Sequence, residues 1–238
     1  MKTLEKAAEF LNSALDAAAM IACVFTMLLG IYCFADDARV YRSTQDKGLL
    51  QYKPQLKEAV SEEKRISSDQ IGWICVPGTG IDFPVLQGRD NSEYLNRNPY
   101  GEFSYSGSVF LDYRSSPDLS DSYSVIYGHH MSGGRMFGCL DAFRDPGFSK
   151  EHSSGSFSTK EKSFDLEVFA VFECLATAPE IFRPGGCSTG EVRGFIAEKS
   201  GVLPDPLRPV LALTTCTPQG GDKRLVVAAY ITATEVDY

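Results

Sequence analysis

Val210-Leu211-Ala212-Leu213-Thr214-Thr215-Cys216 runs into Thr217-Pro218-Gln219-Gly220-Gly221-Asp222, and Lys223-Arg224-Leu225-Val226-Val227 follows. The first segment is an apolar strand that turns polar at its end. The second cannot continue it, because proline lacks the ladder N–H and paired glycines favour a turn. The third resumes a strand pattern. A hairpin of this kind brings Cys216 and Arg224 to the same end of adjacent strands. A thiol at a strand mouth is open to reaction, whereas most cysteines are small buried hydrophobes. An always-charged guanidinium beside it suits an oxyanion.

Working outward, the segment from Ile71 onward consists of short apolar runs punctuated by Gly, Pro, Asn and Asp. The pattern predicts strands at Gly72–Val76, Ile81–Val85, Gly107–Leu111, Ser124–Tyr127, Ser156–Thr159, Phe164–Leu175, Val210–Thr215 and Leu225–Thr234. Short helices are expected at Asn91–Leu95, Met136–Ala142, Asp145–Glu151 and Gly190–Lys199. Many short strands with few helices imply a mainly β fold, a closed or nearly closed barrel of about eight strands.

Tyr123-Ser124-Val125-Ile126-Tyr127 is followed by Gly128, His129 and His130, two of only three histidines in the chain. A thiol whose unperturbed pKa lies near ~8.5 needs an imidazole neighbour to ionise or to pass protons. His129, directly after the strand-ending glycine, is the candidate acid/base. His152 reads as a satisfied hydrogen-bonding residue.

Ala17 to Ala35, AAAMIACVFTMLLGIYCFA, carries no charge. At ~1.5 Å per residue it approaches the ~30 Å hydrocarbon core of a bilayer. Lys2 and Lys6 precede it and Asp36 and Asp37 follow, which orients the N-terminus toward the cytoplasm. The run exceeds the roughly 7–15 apolar residues of a cleaved signal, so a retained anchor is expected. Residues 1–16 then form a cytoplasmic N-terminus, 17–35 the anchor, 36–68 a stalk with a helix over Gln55–Arg65, and 69–238 the catalytic domain. A disordered linker is the competing reading for the first half of the stalk.

The net charge of −8 over 238 residues argues against nucleic acid as a partner, since phosphate recognition needs a basic surface. Seven cysteines cannot all pair within one chain, and their scattered spacing fits free thiols rather than a disulfide framework or a zinc site.

The run LALTTC ending at Cys216 resembles the TLxTC signature of sortases, with Ala212 where the first threonine is usual. VIYGHHM resembles their segment bearing the catalytic histidine, and Arg224 before an apolar strand matches their arginine. IGWICVPGTGIDFPVLQGRDNSEYLNRNPYGEFSYSGSVFLDYR, residues 71–114, is similar to the N-terminal half of class B sortases. Ser188–Pro206 can supply the helical insertion of that class, and no DPF- or DPW-type lid precedes Ile71. Pro218 stands where some members carry a carboxylate.

The resemblance implies a sortase-type barrel acting as a cysteine transpeptidase, with Cys216 as nucleophile, His129 as acid/base and Arg224 as oxyanion stabiliser. Thr215, Leu213 and His130 are carried as substrate-binding candidates. The implied partners are a C-terminal sorting-signal peptide of exported proteins and an amine, from a cell-wall precursor peptide or a pilin lysine. No metal or cofactor is implied. Hydrolysis of the thioester by water and a non-catalytic surface-binding module are the rival readings.

Overall fold

The computed structural model describes residues 2–43, 47–53, 66–216 and 221–234. The chain divides into two compact units, Met1–Gln45 and Asp46–Tyr238. The first is helix α1, Lys2–Ser43, which runs past the expected anchor end at Ala35. Its segment Phe10–Ala38 is long and apolar enough to cross a membrane.

Among the described residues the second unit has ten strands: β1 Gln70–Val76, β2 Ile81–Leu86, β3 Val109–Leu111, β4 Tyr123–Tyr127, β5 His130–Met131, β6 Arg135–Met136, β7 Ser154–Ser158, β8 Ser163–Leu175, β9 Val210–Cys216 and β10 Lys223–Thr234. Eight close into a barrel in the order β1-β2-β3-β4-β9-β10-β8-β7, while β5 and β6 form a two-stranded ribbon. The α-helices among the second unit's described residues are α2 Pro146–Glu151, α3 Pro179–Phe182 and α4 Thr189–Ser200. A 3₁₀ segment, Lys47–Tyr52, precedes the barrel, and Lys53 Nζ is 2.8 Å from Asp82 Oδ1.

Strand β9 sits centrally and is buried on both faces, which explains its unbroken apolar run. Leu211 and Leu213 join Leu225, Val227, Ile126, Ile74 and Phe157 in the barrel interior. Val210 and Ala212 join Val125, Val226 and Ala228 in an outer layer. Ile181 of α3 and Val192 and Ile196 of α4 cover that layer. On a transfer scale each such side chain stabilises the fold by about 1.5–3 kcal/mol. Helix α4 starts at a capping box between Ser188 and Glu191 and stops at Gly201, whose φ of 75° a side chain disfavours. It fills the place of the expected insertion.

The structure differs from expectation at two segments. Asn91–Leu95 is a set of turns that does not propagate: Asp90 Oδ1 caps Ser92 N at 2.8 Å and Glu93 N at 2.9 Å, Leu95 N donates to Ser92 O at 3.2 Å, and the chain then leaves to pair Arg97 with Phe103. Met136–Ala142 is split: Met136, at φ 47°, ends β6, and a 3₁₀ helix runs over Phe137–Arg144. The helix expected at Gln55–Arg65 lies outside the described residues.

Candidate active site

Parallel pairing of β4 with β9 sets Tyr127 beside Thr214, and Gly128 N continues the ladder by donating to Thr214 O at 3.2 Å. His129 is the next residue. Antiparallel pairing of β9 with β10 sets Arg224 opposite Cys216. His129, Cys216 and Arg224 therefore lie at one end of three adjacent strands, on backbone register alone. The side chain of Cys216, and Pro218 two residues on, lie outside the described residues.

Glycine at 128 is required by packing, since a Cβ there would lie 2.6 Å from the Phe137 ring. That close approach turns the chain, and Phe137 N donates to His129 O at 3.0 Å. His129 is half-buried, with Nε2 2.6 Å from the carbonyl oxygen of Leu95. His130, one residue on, lies in β5 and donates from Nε2 to Asp141 Oδ2 at 2.7 Å. Asp141 meets Arg144 at 3.4 Å, Arg144 meets Glu173 at 2.6 Å, and Lys223 lies 3.9 Å from Glu173. His152 Nδ1 lies 3.1 Å from Pro77 O, the satisfied role expected of it.

Arg224 is half-buried and donates from Nη1 to Gly221 O at 3.0 Å and Lys223 O at 2.9 Å. Its Nε and Nη2 have no partner among the described residues. Cys174 of β8 faces Arg224 across the sheet. Burial pushes its thiol up to about 12, against the pull of Lys199 and Arg224. Burial pushes Cys139 up to about 12 as well. Both are protonated at neutral pH and unsuited to nucleophilic attack.

Of the three substrate-binding candidates, Leu213 is 1% exposed and packs in the barrel interior, which places it with the core rather than at a peptide surface. Thr215 is buried and its Oγ1 has no hydrogen-bond partner among the described residues. His130 is engaged by Asp141.

Beneath the site, Asp112 is fully buried. It accepts from Arg114 Nη2 at 2.7 Å, Arg114 Nε at 2.9 Å, Asn91 Nδ2 at 2.8 Å and Tyr127 Oη at 2.8 Å. Burial pushes its carboxyl up, but these donors outweigh burial and hold it below the ordinary carboxylate range. Arg114 also donates to Phe182 O at 2.6 Å, and Tyr123 Oη to Ile181 O at 3.0 Å, which pins α3 to the sheet. Between the end of β8 and α4 lies a cleft of about 460 Å³ lined by Cys174, Leu175, Ala178, Glu180, Phe195 and Lys199. The Asp112 network and the Leu95 carbonyl were not singled out from the sequence. The motif Leu111-Asp112-Tyr113-Arg114 was the available signal for the first. A backbone carbonyl gives none.

An eight-stranded closed barrel with Cys, His and Arg at adjoining strand ends defines a sortase-type enzyme fold. A sequence model of the sortase domain matches residues 74–232. The chain belongs to the sortase family, whose members are cysteine transpeptidases, and within it to class B. Sortase B of Listeria monocytogenes is 34% identical over 139 residues, 58% of this chain and 56% of that protein, so the match spans little more than half of the relative. The crystal structure of a Streptococcus pyogenes class B sortase involved in pilus biogenesis is 38% identical, with TM-score 0.64, covering 70% of this chain and 94% of that one. The Staphylococcus aureus sortase B–substrate complex is 26% identical, with TM-score 0.67, covering 86% and 100%.

Proposed function

We propose that this chain is a membrane-anchored cysteine transpeptidase acting on sorting-signal peptides of exported proteins. Residues 17–35 of helix α1 supply the anchor, residues 36–68 the stalk and 69–238 the catalytic domain. Lys2 and Lys6 before the apolar run and Asp36 and Asp37 after it favour a cytoplasmic N-terminus and an extracellular barrel.

The reading rests on the register of β4, β9 and β10. Cys216 as thiolate attacks a backbone carbonyl of the sorting signal, and the carbonyl electrons move onto oxygen. The guanidinium of Arg224, whose Nε and Nη2 have no partner among the described residues, donates to that oxyanion. Collapse expels the leaving amine, which takes a proton from His129, and a thioester remains on Cys216. An incoming amine gives its proton to His129 and attacks the thioester, which regenerates the thiolate and forms the new amide. Cys139 and Cys174, buried and held protonated, are unsuited to this role.

The amine is a cell-wall precursor peptide in the first reading. A pilin lysine is the second, favoured by the 38% identity to a class B sortase involved in pilus biogenesis. Mixing the enzyme with a matched peptide and each amine in turn separates them by product mass. Cys216→Ala is expected to abolish both peptide cleavage and transfer while the barrel still folds, at a stability cost on the order of 1 kcal/mol. A folded Cys216→Ala protein that still transfers the peptide overturns the proposal.

A further inference from the structure

His129 contacts the loop between β2 and β3 through one bond, Nε2 to Leu95 O at 2.6 Å. A carbonyl oxygen only accepts, so Nε2 must carry the proton. In the neutral ring the lone pair then sits on Nδ1, which has no partner among the described residues. That carbonyl is itself aimed by the backbone around it. Leu95 N donates to Ser92 O at 3.2 Å, and Ser108 N to Tyr94 O at 3.0 Å.

Gly107 lies directly against this turn. It is buried, its φ is 57°, and a Cβ there would lie 2.4 Å from Leu95 O and 2.7 Å from Tyr94 O. Those atoms are backbone on both sides, so a methyl group has no flexible side chain to push away. Room for the Leu95 carbonyl to point at His129 exists because residue 107 has no side chain.

We propose that Gly107 is a positioning residue for the proposed transpeptidation. It admits the Leu95 carbonyl, which holds His129 with its proton on Nε2 and leaves Nδ1 as the atom that exchanges protons with Cys216 and the amines. The thiol proton passes to Nδ1, and Nε2–H keeps donating to Leu95 in both charge states. The carbonyl orients the imidazole as the third group of a catalytic triad does, without adding a charge. This rests on the assignment of His129 as acid/base.

The test uses the full-length chain in detergent with ¹⁵N-labelled histidine. His129 resonances are assigned by their loss in His129→Ala. Above neutral pH the wild-type ring is expected to show a protonated Nε2, a strongly downfield Nε2–H proton and an unprotonated Nδ1. Gly107→Ala is expected to weaken or abolish that downfield proton and lower kcat by about 10²-fold, the scale of a misplaced catalytic group, with KM little changed. Gly101→Ala is the matched control. Gly101 lies in the same loop at φ 84°, and nothing lies within 4 Å of a Cβ there. It should keep both signal and turnover, which separates backbone strain from displacement of the carbonyl.

A wild-type ring protonated on Nδ1 overturns the inference, and this measurement stands even if Gly107→Ala does not fold. So does a folded Gly107→Ala protein with an unchanged signal or unchanged kcat. Full activity in His129→Ala removes the acid/base assignment itself. An inactive His129→Ala beside a normal Gly107→Ala removes this inference alone.

Discussion

His129 and His130 are neighbours in sequence and belong to different parts of the molecule. His129 leans on the loop between β2 and β3 and bonds a neutral backbone carbonyl. His130 leans on the 3₁₀ helix Phe137–Arg144 and enters a chain of charges through Asp141, Arg144 and Glu173 to Lys223. A carbonyl accepts from an imidazole in either charge state, so the first ring can cycle. The second is one member of a lattice of opposite charges, and changing its charge disturbs the others. The difference separates a residue that can exchange protons from one that tethers a ribbon. It comes from what each ring leans on, since the rings themselves are alike.

The largest effect that can break this comparison is on turnover. His129→Ala is expected to lower kcat/KM by ~10²–10⁴-fold, the usual range for losing a general acid/base. His130→Ala should stay within about tenfold, because what it removes is a tether of the kind that surface pairs provide. Steady-state kinetics on a sorting-signal peptide, with folding checked for both variants, decides this. Comparable losses would mean that the two partners do not sort the two roles.

On the other flank of Cys216, Arg224→Lys sharpens the same point about geometry against charge. Lysine keeps the positive charge and loses the planar fork. If Nε and Nη2 serve the oxyanion, kcat should fall ~10²–10³-fold with KM nearly constant, equivalent to about 3–4 kcal/mol. A rise in KM with kcat preserved would assign Arg224 to ground-state positioning of the peptide instead. The thiolate fraction of Cys216 is titrated in parallel, because loss of the guanidinium can also raise the thiol pKa and mimic the kcat effect.

The barrel was legible because its strands announce themselves. Val210–Thr215 and Leu225–Thr234 are apolar runs separated by a segment with Pro218 and Gly220-Gly221, and they appear as β9 and β10 with bounds shifted by a residue or two. The end-to-end meeting of residues 129, 216 and 224 was legible because each follows or opens such a run. Asn91–Leu95 misled because its residues suit a helix and Asp90 caps its first amides, but the chain leaves after Leu95 to pair Arg97 with Phe103, a contact that the local sequence does not show. The ribbon of β5 and β6 has two residues per strand, too few to show alternation. The acceptor of His129 was not legible at all: any residue at position 95 carries the same carbonyl. Gly107 looked like an ordinary loop glycine until its distance to that carbonyl was known.

A smaller effect, on stability, tests the floor under the His129 loop. Asn91 of that loop is held by Asp112, whose folded-state carboxyl is depressed below its ordinary value of 3.8. A depressed carboxylate adds stability that is full above its unfolded pKa and is lost as the pH falls through the folded value. Asp112→Asn is expected to cost about 2–3 kcal/mol at pH 7, less than the ~3–5 of a fully buried broken pair because Arg114 keeps contact with water. Below the ordinary carboxylate range the gap between wild type and variant should close. Urea unfolding from pH 7 to pH 3, followed by Trp73, the only tryptophan and a core residue, reads both. A gap that persists at low pH would show that the loss comes from packing, not from the charge.

The smallest effect belongs to the partner of His130. Asp141→Asn removes the charge that links His130 to Arg144 and leaves an amide oxygen able to accept from Nε2. Asp141 and Arg144 are 30% and 39% exposed in their side chains, so water already screens the pair. Exposed pairs contribute within roughly 1 kcal/mol, and less as salt rises. The variant should therefore unfold within about 1 kcal/mol of wild type at low salt and be indistinguishable from it in high salt. Turnover should be unchanged, because the ribbon stays tethered and His129 does not touch this network. Two measurements suffice: urea midpoints at low and high salt, and kcat on the sorting-signal peptide. If kcat instead falls as far as in His129→Ala, the charged chain from His130 to Lys223 serves the chemistry, and the division between the two histidines fails at the residue where it was expected to matter least.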